Sequence, residues 1–388
     1  MSGIDTDAAD AAADADTAAA VARDPTRAEV QAAAIVDGDA PAAPGSADHL
    51  HPFQFTGRTS VYFRIWIVSL ALSVLTLGIY SAWGKVRKKR YLFDHTRVDG
   101  SGFEFRGSPA AILRGRIIAL VLFGGIALGG HVMIELRLAL IAVLILLTPW
   151  IAVASARFNA RNTFYRNVGF DFDGTLRESI KVFLGFGAIA LVTLGLAYPW
   201  FRARRARFIA GRHRFGATPF TSDVETGDFV LMYLFSGLAL VACVGLFFGA
   251  MVIAAVMGGR AEPDAGPPLP AFYAVIVLLY GSYLVIFAFM RARTQNLIAN
   301  GTVIGPLRLR SKLRTPWLAW LYLTNVLAVI GSIGLATPWA VVRLARYRAR
   351  TLVLVAAAPL GTLMSAPRGS ASATAAEVSD LFDVDVAL

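Results

Sequence analysis

The sequence predicts an all-α polytopic membrane protein with disordered tails, and three observations predict it. Of 388 residues, 56% are hydrophobic and only 16% are charged, where soluble domains carry about a quarter charged. Several apolar runs exceed the ~18 residues that cross a hydrocarbon core of ~30 Å. The remaining charge is one-sided, with 37 Lys and Arg against 26 Asp and Glu, a formal +11. The single cysteine, Cys243, lies inside an apolar run. That position excludes an intrachain disulfide and a thiolate-rich metal site.

In chain order, residues 1–50 hold ten acidic side chains against Arg23 and Arg27, and almost no large apolar ones. Such a stretch cannot bury enough surface to offset its ordering entropy and is read as a disordered acidic tail. It lacks the basic start and apolar core of a signal peptide. Residues 361–388, with four acids and one Arg, are read as a second disordered tail. Between them, 51–360 form the membrane domain, whose 34 basic and 12 acidic residues give +22, twice the whole-chain figure. Seven apolar segments lie in it, at about 61–83, 115–134, 138–156, 179–200, 229–257, 271–290 and 317–340. The second and third, joined near Glu135 and Arg137, read as a tight helical hairpin. The fifth and sixth read as another, joined by the Gly- and Pro-rich loop Gly258–Pro270.

Three segments end in a Trp-centred phrase: LTLGIYSAW at Leu75–Trp83, VTLGLAYPW at Val192–Trp200 and IGSIGLATPW at Ile330–Trp339; a fourth, LLTPW, ends at Trp150. Eight residues after each Trp stands an aromatic, Tyr91, Phe158, Phe208 and Tyr347. Each of these follows an Arg: Arg90, Arg157, Arg207 and Arg346. Twenty residues after Trp83, Trp150 and Trp200 come Phe103, Phe170 and Phe220. A second phrase, F-x-F-x-G, starts at Phe53, Phe103 and Phe170, with a degraded copy, LRLRS, from Leu307. This fixed spacing reads as tandem repeats with units of about 53–169, 170–306 and 307–355. A full unit is a short strand, a Gly-broken apolar segment, a basic stretch and a helical hairpin. Alternation in F-x-F puts both rings on one strand face. The turn residues in VDGSGFEFRG and RNVGFDFDG predict short cytoplasmic β-hairpins. Packing is the ordinary role of such rings.

Charge decides the topology. With all seven segments crossing, 18 basic residues fall inside and 16 outside; with only the two hairpins crossing, 32 are cytoplasmic and two, Arg137 and Arg260, are outside. The positive-inside rule selects the second arrangement, with both termini cytoplasmic. Segments one, four and seven then re-enter, and their breakers are Gly78 before Tyr80, Gly195 before Pro199 and Gly334 before Pro338, each followed by Trp83, Trp200 or Trp339.

The F-x-F-x-G phrase, the run TLGIYSAW at Thr76–Trp83, the basic string GKVRKKRY behind it and the second TLG phrase at Thr193–Gly195 with YPW together resemble the YjgN family of bacterial inner-membrane proteins. The likeness runs through about 53–350, departing at GSIGLATPW, which has no Tyr, and at the 307 copy. It implies an inner-membrane location and a domain of unknown function, and carries no activity residue by residue.

No catalytic, cofactor-binding or metal-ligating constellation is visible: His49, His51, His95, His131 and His213 lack ligand spacing, and the apolar segments hold no midplane acid for an ion-coupled pump. An enzyme is not expected. The chemistry is in three basic stretches: Lys85, Arg87, Lys88, Lys89 and Arg90; Arg202, Arg204, Arg205 and Arg207; Arg343, Arg346, Arg348 and Arg350. Placed beside interfacial Trp, they form a collar expected to attract anionic lipid headgroups or a cytoplasmic partner; nucleic acid is not expected. The alternative is a transporter or channel-like protein for a small solute. Its path would pass Gly78, Gly195 and Gly334 and be lined by Tyr80, Tyr198, Thr324 and Asn325.

Overall fold

The computed structural model describes residue 35 and residues 49–258 and 269–356, so the expectations for most of both tails and of the Gly258–Pro270 loop lie outside the described residues. The chain opens with strands β1 (His49–Pro52) and β2 (Gln54–Phe55) and a helical hairpin, α1 (Thr59–Leu75) and α2 (Ser81–Asp94). Strands β3 (Thr96–Val98) and β4 (Ser101–Phe105) precede the second hairpin, α3 (Pro109–Val132) and α4 (Ile134–Arg161). After β5 (Thr163–Tyr165) and β6 (Val168–Phe172) comes the third. It consists of α5 (Leu176–Ile180), a π-helical turn (Lys181–Phe186), α6 (Gly187–Val192) and the return helix α7 (Tyr198–Gly211). Then β7 (His213–Phe215) and β8 (Thr218–Ser222) lead to α8 (Thr226–Gly258) and α9 (Leu269–Asn300). The last group is β9 (Thr302–Ile304), β10 (Leu307–Ser311), α10 (Thr315–Gly331), α11 (Thr337–Arg350) and β11 (Leu352–Ala356).

The all-α expectation is corrected here. The strands form one antiparallel sheet in the order β1-β11-β10-β9-β8-β7-β6-β5-β4-β3-β2 rather than isolated hairpins. β1 pairs with β11 and β2 with β3, while Phe53 between them donates its N–H to Leu352 O at 3.1 Å. One strand with a break therefore joins the first and last members, closing the sheet into a small barrel. Strands of two to five residues are too short to stand alone, and closure leaves no edge unpaired. Two-residue turns link the strand pairs between hairpins. Asp99-Gly100 and Arg166-Asn167 have positive φ at both positions, the mirror-image turn that suits strand twist.

Each helical hairpin is rooted in two paired strands: β2/β3, β4/β5, β6/β7, β8/β9 and β10/β11. All five leave and return at one end of the barrel. The four helices of the second and fourth hairpins contain stretches long and apolar enough to cross a membrane, Pro109–Leu128, Ile134–Arg161, Thr226–Ile253 and Ile276–Asn300. The 17-residue α1 and α10 span about 25 Å at 1.5 Å per residue and then turn back. The return is longer than the short stub expected: α2, α7 and α11 are full helices of 14 residues, because the basic stretches themselves are helical.

The three turns share one geometry. Leu77, Leu194 and Ile333 have φ of 50 to 51°, and Gly78, Gly195 and Gly334 have φ of 88 to 91°. Each Gly N–H reaches back five residues, to Ser73, Ala190 and Val329 O, all at 2.7 Å, a Schellman helix end in which the left-handed position usually given to glycine is taken by Leu77, Leu194 or Ile333. Thr76, Thr193 and Ser332 hydroxyls accept from the N–H groups of Tyr80, Ala197 and Ala336 at 2.8 to 3.0 Å, so each turn satisfies backbone groups internally. That is the condition for a turn at membrane depth. Leu77, Leu194 and Ile333 at the tips are 94 to 95% exposed.

The barrel interior is apolar. Val98, Tyr165, Leu307, Leu309, Leu354 and Ala356 pack with Phe53, Phe103, Phe170 and Phe215. The first ring of each F-x-F lies in this core, and the second, Phe55, Phe105 or Phe172, sits under a helical hairpin against Tyr91, Phe158 or Phe208. The trailing glycine has a steric reason. A Cβ on Gly57, Gly107 or Gly174 would fall 2.3 to 2.5 Å from the preceding Phe ring, which folds back over it.

Pairing also corrects the fourth copy. Phe103, Phe170 and Phe220 lie opposite Tyr165, Phe215 and Ile304, and the residue so placed in β10 is Leu309, opposite Leu354. The degraded phrase is thus Leu309-x-Ser311-x-Leu313, two residues later than expected. A further position of the same kind is Phe220-x-Ser222-x-Val224. Where Ser replaces the second Phe, no ring covers the next position and glycine is not needed.

Candidate membrane-interface site

The four Arg residues that precede an aromatic turn inward. Arg90 Nε donates to Phe105 O at 3.2 Å, Arg157 to Gly174 O at 3.3 Å, Arg207 to Val224 O, and Arg346 to Gly57 O at 3.3 Å. Asn296 of α9 does the same for Leu313 O at 3.0 Å and also accepts from Leu313 N at 2.8 Å. Each helical hairpin is strapped to the loop opening the next, and Arg346 carries the last round to the first. Asn296 was invisible to a pattern that required Arg. Its signal is position, seven residues after Phe289, which stands where the other return helices have Trp.

The aromatic that follows is also explained. Tyr91 Oη accepts from Arg58 N at 2.7 Å and donates to Arg58 O at 2.9 Å, and Tyr347 Oη does both at Arg314, at 3.1 and 3.3 Å. Arg58 and Arg314 precede α1 and α10 and make no side-chain cap, so the tyrosines take that role. The third hairpin starts with a capping box, Thr175 and Glu178, and there Phe208 needs no hydroxyl.

What remains of the basic stretches sorts by direction. In α2, Lys89 bonds Asn159 Oδ1 at 2.5 Å and lies 4.4 Å from the Phe105 ring. Lys88 is partly buried, and burial together with nearby Arg116 holds its pKa below the usual lysine value. Lys85 is half-buried, and Arg87 is exposed one turn beyond Trp83. In α7, Arg202 approaches Tyr233, and Arg205, whose pKa burial lowers, lies over Phe183 at 5.4 Å. Arg204 is exposed, 5.5 Å from the Phe186 ring and 5.8 Å from Trp200. In α11, Arg343 sits 4.9 Å over Trp339 and bonds Thr324 and Asn325, the two residues expected to line a solute path. Arg348 Nε is buried with no hydrogen-bond partner among the described residues, and Arg350 is exposed. All three short hairpins thus carry a Trp with an Arg four residues later on the same helix face: Trp83/Arg87, Trp200/Arg204 and Trp339/Arg343.

The helix-break residues hold the tips. Gly78, Gly195 and Gly334 have open space where a Cβ would stand. Tyr80 stacks on Trp83 with centroids 6.2 Å apart, Trp200 meets Phe186 at 4.6 Å, and Pro199 and Pro338 occupy the first turns of α7 and α11. Between the third hairpin's two arms lies an open groove of about 310 Å³, lined by Glu178, Lys181, Phe186, Arg204, Arg207 and Arg212, together with Val182 and Phe208.

Residues 50–381 match DUF898, described as a bacterial protein of unknown function. The chain belongs to that family. Among curated relatives of this family member, the inner membrane protein YjgN of Salmonella typhimurium is 22% identical over 338 residues, 75% of this chain and 85% of that protein. YjgN of Escherichia coli O157:H7 is 26% identical over 128 residues, 33% of this chain and 32% of that one. No solved structure matches the chain. The match begins within β1, so the family region includes the strand that closes the barrel.

Proposed function

We propose that this DUF898 member is an integral inner-membrane protein whose barrel and termini lie in the cytoplasm and whose helical collar binds anionic lipid at headgroup level. The inner-membrane location rests on the names of the relatives and on the four apolar helices. The orientation rests on charge: the sequence assigns 32 basic residues to one face and two to the other. A cysteine placed at exposed Ala217, in the turn between β7 and β8 and with Cys243 removed, should be labelled by an impermeant maleimide only after permeabilisation; labelling of intact cells would reverse the orientation. We also infer that strand, helical hairpin and strand form a unit used five times, a finer division than three units, because the same straps and pairings recur at each step.

The observation that carries lipid binding is the Trp and Arg pair in each short hairpin. An aromatic at the interface one turn from a guanidinium, exposed at Arg87 and Arg204, suits a phosphate layer above a hydrocarbon layer. The test is the anionic lipid content of nanodiscs formed around the protein from mixed phosphatidylcholine and phosphatidylglycerol. The wild type should enrich the anionic lipid, and R87Q/R204Q/R350Q should reduce that enrichment at unchanged melting temperature. Equal content in both would end the lipid reading. Solute transport is the weaker reading, since Thr324 and Asn325 are engaged by Arg343.

A further inference from the structure

We propose that the groove in the third hairpin is a discrete site for the phosphate of one lipid headgroup, a narrower claim that rests on the lipid-binding reading above. Its wall carries four cations, Lys181, Arg204, Arg207 and Arg212, and one acid, Glu178. Two of the cations are already engaged: Arg207 holds Val224 O and Thr226 Oγ1, and Arg212 pairs with Glu178. Lys181 and Arg204 are exposed and face the groove from opposite arms. Two positive groups thus converge on a space large enough for a phosphate, with the only lining carboxylate paired to Arg212.

The polarity of the groove follows that of a lipid. Glu178 and Arg212 lie at the barrel end of the hairpin, next to β7, while Phe186 and, one turn from Arg204, Trp200 lie toward the membrane tip. A phosphate between Lys181 and Arg204 would leave its glycerol and chains against Phe186 and Trp200. Free phosphate would use only the first half of that surface.

The groove, rather than the pair of cations alone, sets this hairpin apart: the first hairpin repeats the pair as exposed Arg64 and Arg87 but has Val61 where this one has Glu178. Four and seven residues beyond Gly174 stand Glu178 and Lys181. The same steps beyond Gly57 give Val61 and Arg64, and beyond Leu313 they give Trp317 and Trp320, which with Pro316 line an apolar recess. The groove wall also contains the π-helical turn Lys181–Phe186, and no other described hairpin has one. Such turns are frequent at functional positions because they reset which side chains share a face.

The test uses the full chain in phosphatidylcholine nanodiscs titrated with a short-chain phosphatidic acid, with bound lipid counted by native mass spectrometry. Wild type should hold one lipid tightly, and K181Q/R204Q should hold it about thirtyfold more weakly, two headgroup-level charges having been removed. R87Q, a collar change in the first hairpin, should weaken the hold on that one lipid far less than K181Q/R204Q does. Equal weakening by R87Q and K181Q/R204Q overturns the groove and leaves the collar standing. No weakening by either overturns both. Displacement of the lipid by millimolar inorganic phosphate would make this a free-phosphate site and also overturn the proposal. Both groove substitutions are at exposed positions, and an unchanged melting temperature checks the fold.

Discussion

Tyr91 and Tyr347 carry a hydroxyl where Phe158 and Phe208 carry none, and the difference is decided by the residue that begins each helix. An Arg before α1 or α10 leaves the first backbone groups uncapped, so a tyrosine from the returning helix accepts from the N–H and donates to the C=O of that same residue. Tyr91→Phe should cost about 1–3 kcal/mol, since the part-buried Arg58 N–H loses its partner while Arg58 O keeps only its bond from Tyr62 N. Phe208→Tyr should bring no gain, because Thr175 already caps. Thermal melting in detergent compares the two; equal effects would refute the capping role. His213 offers a pH test. Its Nδ1–H donates to Ile209 O at 2.7 Å between the rings of Phe172 and Phe220. Burial holds its pKa below the ordinary histidine value, with Asp171 and the Ile209 carbonyl opposing. The neutral ring is favoured in the fold, so its stability contribution is complete above the unfolded pKa of about 6.5 and is lost as pH falls from there through the lower folded pKa. Melting temperature should therefore drop from pH 7 to pH 5, and His213→Asn should flatten that slope. An unchanged slope assigns the loss elsewhere.

At the scale of elements, F-x-F-x-G is a packing device whose last residue is fixed by the ring before it. Gly174→Ala would place a methyl 2.3 Å from the Phe172 ring and 2.9 Å from Phe208, and Phe172 is 1% exposed and cannot yield. The expected loss is about 1–3 kcal/mol, against none at Gly124→Ala in α3, where the space is open. Chemical denaturation of both variants checks this; equal stability would mean that the ring swings away. The same steric logic shows which parts of the motif were legible. Aromatic alternation and the Gly punctuation stand in the local sequence, and so do the turns at Gly78, Gly195 and Gly334, because a break within an apolar run has few other uses. The register of Leu309 was not legible: Leu307 and Leu309 are chemically alike, and only cross-strand pairing separates them.

For the whole molecule the deciding feature is closure. β1 covers the edge of β11, whose residues Leu352–Ala356 are entirely apolar. Deleting His49–Pro52 should expose that edge and drive association through it, seen as a shift to larger species by size-exclusion chromatography in detergent. A monodisperse product of unchanged size would mean that the barrel does not depend on the closing strand. Closure also roots every helical hairpin at one end of the sheet, so short and long hairpins alternate around the barrel on the same side of it.

By itself the sequence determined that this is a membrane protein, which segments are apolar, where three of them break, and where along the chain the basic residues gather. Those are local or summed properties, set by composition, by the hydrophobic period and by glycine's conformational range. Only the tertiary structure decided that the short strands make one closed sheet, that Arg90, Arg157, Arg207 and Arg346 strap one hairpin to the next, and that Lys181 and Arg204 line one groove. The reason is physical. Strand pairing, a guanidinium's choice of carbonyl and the lining of one groove by two side chains 23 residues apart depend on contacts between elements, and hydropathy and spacing carry no record of them.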